Sequence, residues 1–557
     1  MAASYDTLNQ VFLKKLRNKN KGAVSAVFFN GEEIMFSFYD GLINKEKKLP
    51  PKDDSLFMIG SNTKVLTSLG LFRLIEDGKL SLDDPITKFI PEFSVKSRMG
   101  DYPVTVENLL MHRGGIQCDL YPFIIGTNHT YTDIIPALKE TYRTSVPGTM
   151  FSYSNLGYTL LGIVLERCGG KPYVQFLQDE LFTPLDMEVY FCVEDDLPAD
   201  VADRVAHSFD KKGKRTKDPL GTLLPAGSNT YTKITDLVKI GQLLMNDGRV
   251  GDVHLYKPET IQLMKTLKIG DELDKDLVCG GYGLLHHALS LDYETGRILG
   301  HGGNTMNHHS VFNFLPDEKI GFIAFANFEN APMLERKLET EMFNEFLKEE
   351  GFKKKEKKEV LVKFDAKDYV RRYDTAAGQL DFKANDKGEL TAKISKLPIT
   401  LQLDSEGWLV AKPGAVWTKL PPIAKQLDGM KFREAEYFGK KVLLMQQRGV
   451  TSAIGEIYYE PQVNHAWLKA LGTYKPEEKQ YKDLFQKAVL AVKDGDLILT
   501  LYVEGEKMDL ALSVINDNEA VIKGFGRNMK ETVFLSEKAG KFTLTAVGVD
   551  ISRVSTK

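Results

Sequence analysis

The sequence predicts an α+β chain whose C-terminal region is all-β and barrel-like. Three observations carry that expectation. Residues 1–350 mix apolar repeats of helical and strand period. A helical pattern through Met342, Phe343, Phe346 and Leu347 then stops at Gly351, and the run KKKEKKE from Lys353 to Glu359 reads as a solvated linker. Beyond it, GELTAKI, LPITLQL, KVLLMQQ, DLILTLYV, EAVIKGF and KFTLTAV are short strand-like runs between turn signals, the pattern of a sandwich or barrel. The expected division is a mixed domain over 1–350, a linker over 351–359, and two barrel-like halves over 360–460 and 461–557. Tyr369–Tyr373 and Leu471–Tyr474 introduce the two strand series, each about 100 residues long. One continuous β domain is the alternative.

Bulk properties narrow the function classes. At 557 residues the chain exceeds what one core organises. Its net charge of -3 sets up no field that would draw nucleic acid or an anionic membrane. No apolar run is long enough to span a bilayer, and the opening MAASYDTLNQVFLKKLRNKN lacks the apolar stretch of a signal peptide. Cys118, Cys168, Cys192 and Cys279 are too few and too scattered for a disulfide framework or a zinc site. A cytoplasmic enzyme acting on a small molecule or short peptide is the simplest expectation, with a homo-oligomer left open.

The segment MIGSNTKVLTSLGLFRLIEDGKLSLDDP carries the main chemical signal. Val65, Leu66, Leu69, Phe72 and Ile75 follow helical spacing and Gly78 is a stop, which puts Ser61 at a helix start with Lys64 one turn on. Residues three apart share a helix face, so hydroxyl and amine can meet. Free N–H groups at the helix start suit a developing oxyanion, and a desolvated lysine can lose its proton and serve as base. Taken alone, the motif reads more simply as an N-cap at Ser61 and a solvated side chain at Lys64.

Two further elements follow. In VPGTMFSYSNLGYTLLGIVLERCGGKPY, Tyr153 lies on a loop ahead of a helix that begins near Asn155. A phenol beside a lysine can shuttle a proton, and Asn155 offers a donor and an acceptor. In RILGHGGNTMNHHSVFNFLPDEKIGFIAFAN, His301, Gly302 and Gly303 fall between two strand-like runs, and SVFNFLP and IGFIAFAN read as a hairpin around Pro316-Asp317. In isolation each element reads as a satisfied tyrosine, a capping asparagine or a loop histidine.

Together, Ser61–Lys64, Tyr153–Asn155 and His301–Gly303 resemble, in order, the Ser-x-x-Lys, Tyr-x-Asn and Lys-Thr-Gly motifs of the serine β-lactamase and penicillin-binding-protein superfamily. The flanking GKLSLDDPITKFIPEF, VENLLMHRGGI and PGTMFSYSNLGYTLLG are similar to its class C β-lactamase-like branch, which includes D-aminopeptidases, esterases and some acyltransferases. The resemblance covers about 20–345. It implies a β-lactamase-like catalytic domain: an antiparallel sheet flanked by helices, plus a helical subdomain, with Ser61 and Lys64 between them. It also implies an oxyanion hole from the N–H groups of Ser61 and Asn304, and a strand around Asn304 that lines the substrate. A catalytic domain followed by β-rich segments further resembles D-aminopeptidases whose trailing barrels restrict the entrance.

The implied reaction is acyl transfer through Ser61, with Lys64 and Tyr153 moving protons and Asn155, His301, Gly302, Gly303 and Asn304 binding substrate. It needs no cofactor and no metal. Amidohydrolase or peptidase, carboxylesterase or acyltransferase, and an idle scaffold on this fold remain open. The chain departs from the family pattern at Arg113-Gly114, where Thr-Ser is common, and at Asn307, His308 and His309. Adjacent histidines on a strand face opposite ways, which argues against a shared metal. His301 stands where relatives carry lysine. An unperturbed histidine is mostly neutral near pH 7, so substrates without a carboxylate beside the scissile bond are expected.

Overall fold

The computed structural model describes residues 5–16, 21–125, 129–218, 221–266, 281–286, 291–329, 331–356, 360–375, 378–394, 397–413, 429–437, 440–447, 450–460, 462–482, 485–503 and 506–555. Cys279 and the last three residues of the KKKEKKE run lie outside them.

A six-stranded antiparallel sheet organises the first 350 residues. Edge to edge its strands are Ile34–Gly41, Ala23–Asn30, Ile320–Ala326, His309–Leu315, Leu299–Asn304 and Leu285–His286. Successive side chains on a strand point to opposite faces. Val27, Phe29, Phe312, Phe314, Ile323 and Phe325 enter one core. Val24, Phe28, Val311, Leu315, Phe322 and Ala324 enter the other. Burial on both faces requires apolar residues at nearly every position, so AVSAVFF and IGFIAFA are unbroken runs instead of alternating ones.

Helices Asp6–Leu16 and Ala331–Glu349 cover one face through Leu8, Phe12, Met342, Phe343 and Phe346. The opposite face carries a larger helical layer that includes Thr63–Glu76, Asn155–Gly169 and Ile234–Met245. The second of these is capped at both ends. The Ser154 hydroxyl accepts from Gly157 N at 2.9 Å, and Gly170 closes it at φ 68°, a left-handed conformation that glycine adopts without strain.

One local expectation changes. His301, Gly302 and Gly303 do not sit between strands; they lie inside Leu299–Asn304, where His301 pairs with Phe312 and Gly303 with Ser310. The bare glycines hide the strand from an apolar-pattern reading; at Gly300 and Gly303 a side chain would collide with neighbouring backbone.

The remaining strands form two closed antiparallel barrels. The first spans 371–457 and closes by pairing Arg371–Thr375 with Val450–Ile457. The second spans 472–555 and closes by pairing Gly472–Pro476 with Val549–Ser555. Leu390, Leu401, Phe432 and Leu443 fill the first interior; Trp467, Tyr474, Leu497 and Leu544 fill the second. Eight strands leave an interior that side chains can fill. Among the described residues, no helix is long and apolar enough to cross a membrane.

Candidate active site

Ser61 occupies a 3-10 turn, Gly60–Asn62, that runs directly into the helix Thr63–Glu76. Three glycines make this turn possible. Gly60 has φ 52°, and a Cβ there would lie 2.9 Å from Asn304 N. A Cβ on Gly227, at φ 118°, would lie 2.7 Å from Ser61 N, and one on Gly303 would lie 1.9 Å from the Ile59 carbonyl oxygen. Backbone therefore meets backbone on both sides of the Ser61 turn, where only glycine fits. The Ser310 hydroxyl ties the arrangement together by donating to Ile59 O at 2.7 Å and accepting from Asn62 Nδ2 at 2.7 Å.

Lys64 is fully buried. Its Nζ lies 3.0 Å from Ser61 Oγ and 2.8 Å from Asn155 Oδ1, and it also bonds to the Ala226 carbonyl. A neutral amine has two donors and one lone pair. It can donate to Asn155 and Ala226 and accept the Ser61 proton, which is the geometry of a base. Burial favours that neutral form and holds the Lys64 pKa well below the usual lysine range; the nearby Arg527 charge adds to this and Asp119 partly offsets it.

Tyr153 precedes the helix Asn155–Gly169, with its ring centroid 4.8 Å from Lys64 Nζ. Burial raises its phenol pKa, although a hydrogen bond with Ser61 and the Arg527 charge pull the other way. The phenol is accordingly protonated at neutral pH and can pass a proton on. The His112 ring packs on Tyr153 at 4.4 Å between centroids, and His112 Nδ1 accepts from Ser154 N at 3.0 Å.

His301 faces the same place, 5.8 Å from the Tyr153 ring, with Nδ1 2.6 Å from Gly302 O. Asn304 ends the strand and its backbone reaches the Ser61 turn, as the Gly60 contact shows. The turn after it is pinned by half-buried Asp218, which accepts from Thr305 Oγ1 at 2.6 Å, Met306 N at 3.0 Å and Asn307 N at 3.1 Å. The histidine pair braces the site. His308 Nδ1 accepts from Met58 N at 3.3 Å, and His309 Nδ1 lies 2.7 Å from Asn304 Oδ1.

Ser61, Lys64, Tyr153, Asn155, His301, Gly302, Gly303 and Asn304 thus converge from three separate stretches of sequence. Four contributors escaped the sequence reading: the Ala226 carbonyl, Gly227, Asp119 and Arg527. The signal that could have found the first two is PAGSN, a turn pattern at Ala226-Gly227. Asp119 and Arg527 are 408 residues apart and no local pattern links them.

The Beta-lactamase family model matches residues 8–344. The chain belongs to that family. It is 25% identical over 308 residues to penicillin-binding protein 4 of Amycolatopsis lactamdurans, covering 54% of this chain and 78% of that protein. It is 28% identical over 169 residues to protein flp of Staphylococcus aureus strain MW2, covering 30% of this chain; the match spans only 34% of the length of flp. Among solved structures, SurE superposes with a TM-score of 0.56 at 21% identity, covering 81% of this chain and 98% of SurE. SurE has also been solved with D-Leu. That likeness is one of fold.

Proposed function

We propose that the protein is a serine hydrolase that cleaves an amide or peptide bond through an acyl-enzyme on Ser61. The observation that carries the reading is the buried Lys64 amine, held 3.0 Å from Ser61 Oγ by Asn155 and the Ala226 carbonyl. Lys64 takes the Ser61 proton as Oγ attacks the substrate carbonyl. The N–H groups of Ser61 and Asn304 hold the oxyanion at the start of the helix, where the backbone dipole assists. Tyr153, protonated and in contact with both Ser61 and Lys64, delivers a proton to the leaving group. The Lys64 ammonium returns its proton to Tyr153, and water then attacks the acyl carbon, with Lys64 accepting the water proton and passing it to the departing Ser61 Oγ.

Substrates with an amino-terminal D-residue are the first choice, supported by the barrel-bearing architecture and by the D-Leu complex of SurE. A carboxylesterase or acyltransferase would use the same residues. His301 favours that second reading, because an imidazole in place of a fixed cation suits an uncharged substrate. The chain division proposed with it is a catalytic domain over 1–350, a linker over 351–359, and barrels over 360–460 and 461–557.

The test is labelling with a fluorophosphonate followed by peptide mapping, then a panel of D- and L-aminoacyl amides, simple esters and a β-lactam. A single adduct on Ser61, lost in Ser61→Ala together with turnover, is expected. An adduct elsewhere, or turnover that survives Ser61→Ala, overturns the reading.

A further inference from the structure

We infer that Arg527, on the loop between the second-barrel strands Glu519–Ile522 and Thr532–Lys538, is a positioning residue that sets the proton affinity of Lys64 through Asp119 and Asn155. The inference rests on the serine-hydrolase reading above. Arg527 donates from Nε at 2.8 Å and from Nη2 at 2.6 Å to Asp119 Oδ2. The other carboxylate oxygen, Oδ1, accepts from Asn155 Nδ2 at 2.7 Å, and Asn155 Oδ1 accepts from Lys64 Nζ at 2.8 Å. A carboxylate only accepts, so it claims the amide nitrogen of Asn155 and turns the amide oxygen toward Lys64. The orientation of the Asn155 amide is thereby decided two residues away, and the outermost member of the chain belongs to the last barrel.

The loop is built to hold that position. Gly524 and Gly526 have φ of 114° and 110°, and Asn528 and Lys530 also lie in the left-handed region, so the backbone folds sharply where the strand pattern would continue. The Ser152 hydroxyl donates to Gly526 O at 3.1 Å. Lys530 pairs with Glu456 of the first barrel. Lys523, fully buried, pairs with Asp374 at 3.1 Å and lies 3.6 Å from Asp496, both themselves fully buried. Glu531 accepts from Cys118 N at 3.0 Å and from Gln117 Nε2 at 3.2 Å. The anchors come from the catalytic region and from both barrels, which keeps the guanidinium in register with Asp119.

The electrostatics follow from the geometry. The titratable groups around Lys64 are Tyr153 and Tyr158, whose rings lie within 6 Å, His112 behind Tyr153, His301 on the strand opposite, and the Asp119–Arg527 pair. Asp119 is 1% exposed. A buried carboxylate without its partner would draw a proton onto Lys64 or take one itself. Arg527 cancels that pull, and its own charge disfavours ammonium at Lys64 directly.

Charge-removing variants should therefore shift the acidic limb of the pH–rate profile in opposite senses. Arg527→Gln leaves Asp119 unopposed, and the limb for Ser61 acylation moves up by about one pH unit. Asp119→Asn leaves Arg527 unopposed, and the limb moves down. The double variant returns toward wild type, and Arg527→Lys, which keeps the charge, shifts less than Arg527→Gln. The readout is the pH dependence of fluorophosphonate labelling at Ser61, with circular dichroism to verify each fold. If Arg527→Gln does not fold, the Asp119→Asn and double variants still decide the sign. Limbs that stay in place, with labelling merely slower, would reduce Arg527 to a structural contact and overturn the inference. Absence of wild-type labelling at Ser61 would instead overturn the parent reading.

Discussion

Replacing Glu531 with glutamine should stabilise the protein above neutral pH and leave it unchanged in acid. Glu531 is 2% exposed and sits where the second barrel meets the catalytic region. It accepts from Cys118 N and Gln117 Nε2, with Asp119 adding repulsion and Arg527 relieving it. Burial dominates and pushes the carboxyl from its ordinary 4.5 up to about 7. Below pH 4.5 the carboxyl is protonated whether the chain is folded or not, so the pH dependence vanishes there. Between 4.5 and 7 the unfolded chain has released the proton and the folded one has not, so stability falls as pH rises. Above 7 the full penalty is present, on the order of 3 kcal/mol at about 1.4 kcal/mol per pH unit. Glutamine has nearly the same shape and cannot ionise, and the Gln117 amide can flip to accept from its nitrogen. Urea unfolding of wild type and Glu531→Gln from pH 4 to pH 8.5, followed by tryptophan emission, measures the difference. Coincident curves near pH 4 that separate by a few kcal/mol at pH 8.5 are expected. A constant offset, or a variant less stable than wild type at pH 8.5, would refute the reasoning.

Other expectations concern the catalytic sheet. Gly303→Ala forces a Cβ to within 1.9 Å of the Ile59 carbonyl oxygen, so the strand must lift from the nucleophile turn. Stability should fall by about 1–3 kcal/mol and Ser61 labelling should slow by roughly 100-fold, a misplacement effect. Gly302→Ala is the internal control, because its Cβ would meet only Ser310 O at 3.9 Å; thermal melts should show it within about 0.5 kcal/mol of wild type. His301→Lys should favour carboxylate-bearing substrates by about 1–3 kcal/mol, the scale of a charge-assisted hydrogen bond. The kcat/KM ratio of a penicillin to an uncharged ester, compared between the two proteins, measures it; an unmoved ratio excludes His301 as a selector.

The fold was legible where one period dominated. Val65, Leu66, Leu69 and Phe72 announced their helix, and the doubly buried strands announced themselves as apolar runs. Strands such as Arg371–Thr375, Lys431–Tyr437 and Glu506–Val514 were harder to see, because charged residues interrupt their apolar ones and leave no clean period. Leu299–Asn304 was hidden by its glycines. The residues grouped around Ser61 could be gathered from short motifs, since helix and strand geometry brings each motif into place locally. Asp119 and Arg527 could not, since their meeting depends on how a barrel docks, which no spacing encodes.

The pairing of Ala23–Asn30 with Ile320–Ala326 has a consequence during synthesis. Val24 waits for Ala326, about 300 residues later, before its strand has its inner neighbour. At ribosomal speeds of roughly 5–20 residues per second, that interval is about 15–60 s. Throughout it, AVSAVFF is an apolar strand with one open edge, shielded only by the hairpin to Ile34–Gly41. Helix Ala331–Glu349 emerges later still, so the face it shares with Asp6–Leu16 stays uncovered for as long. Nascent chains stalled before residue 320 should therefore engage holdase chaperones through this hairpin, and release should coincide with emergence of the 320–349 segment.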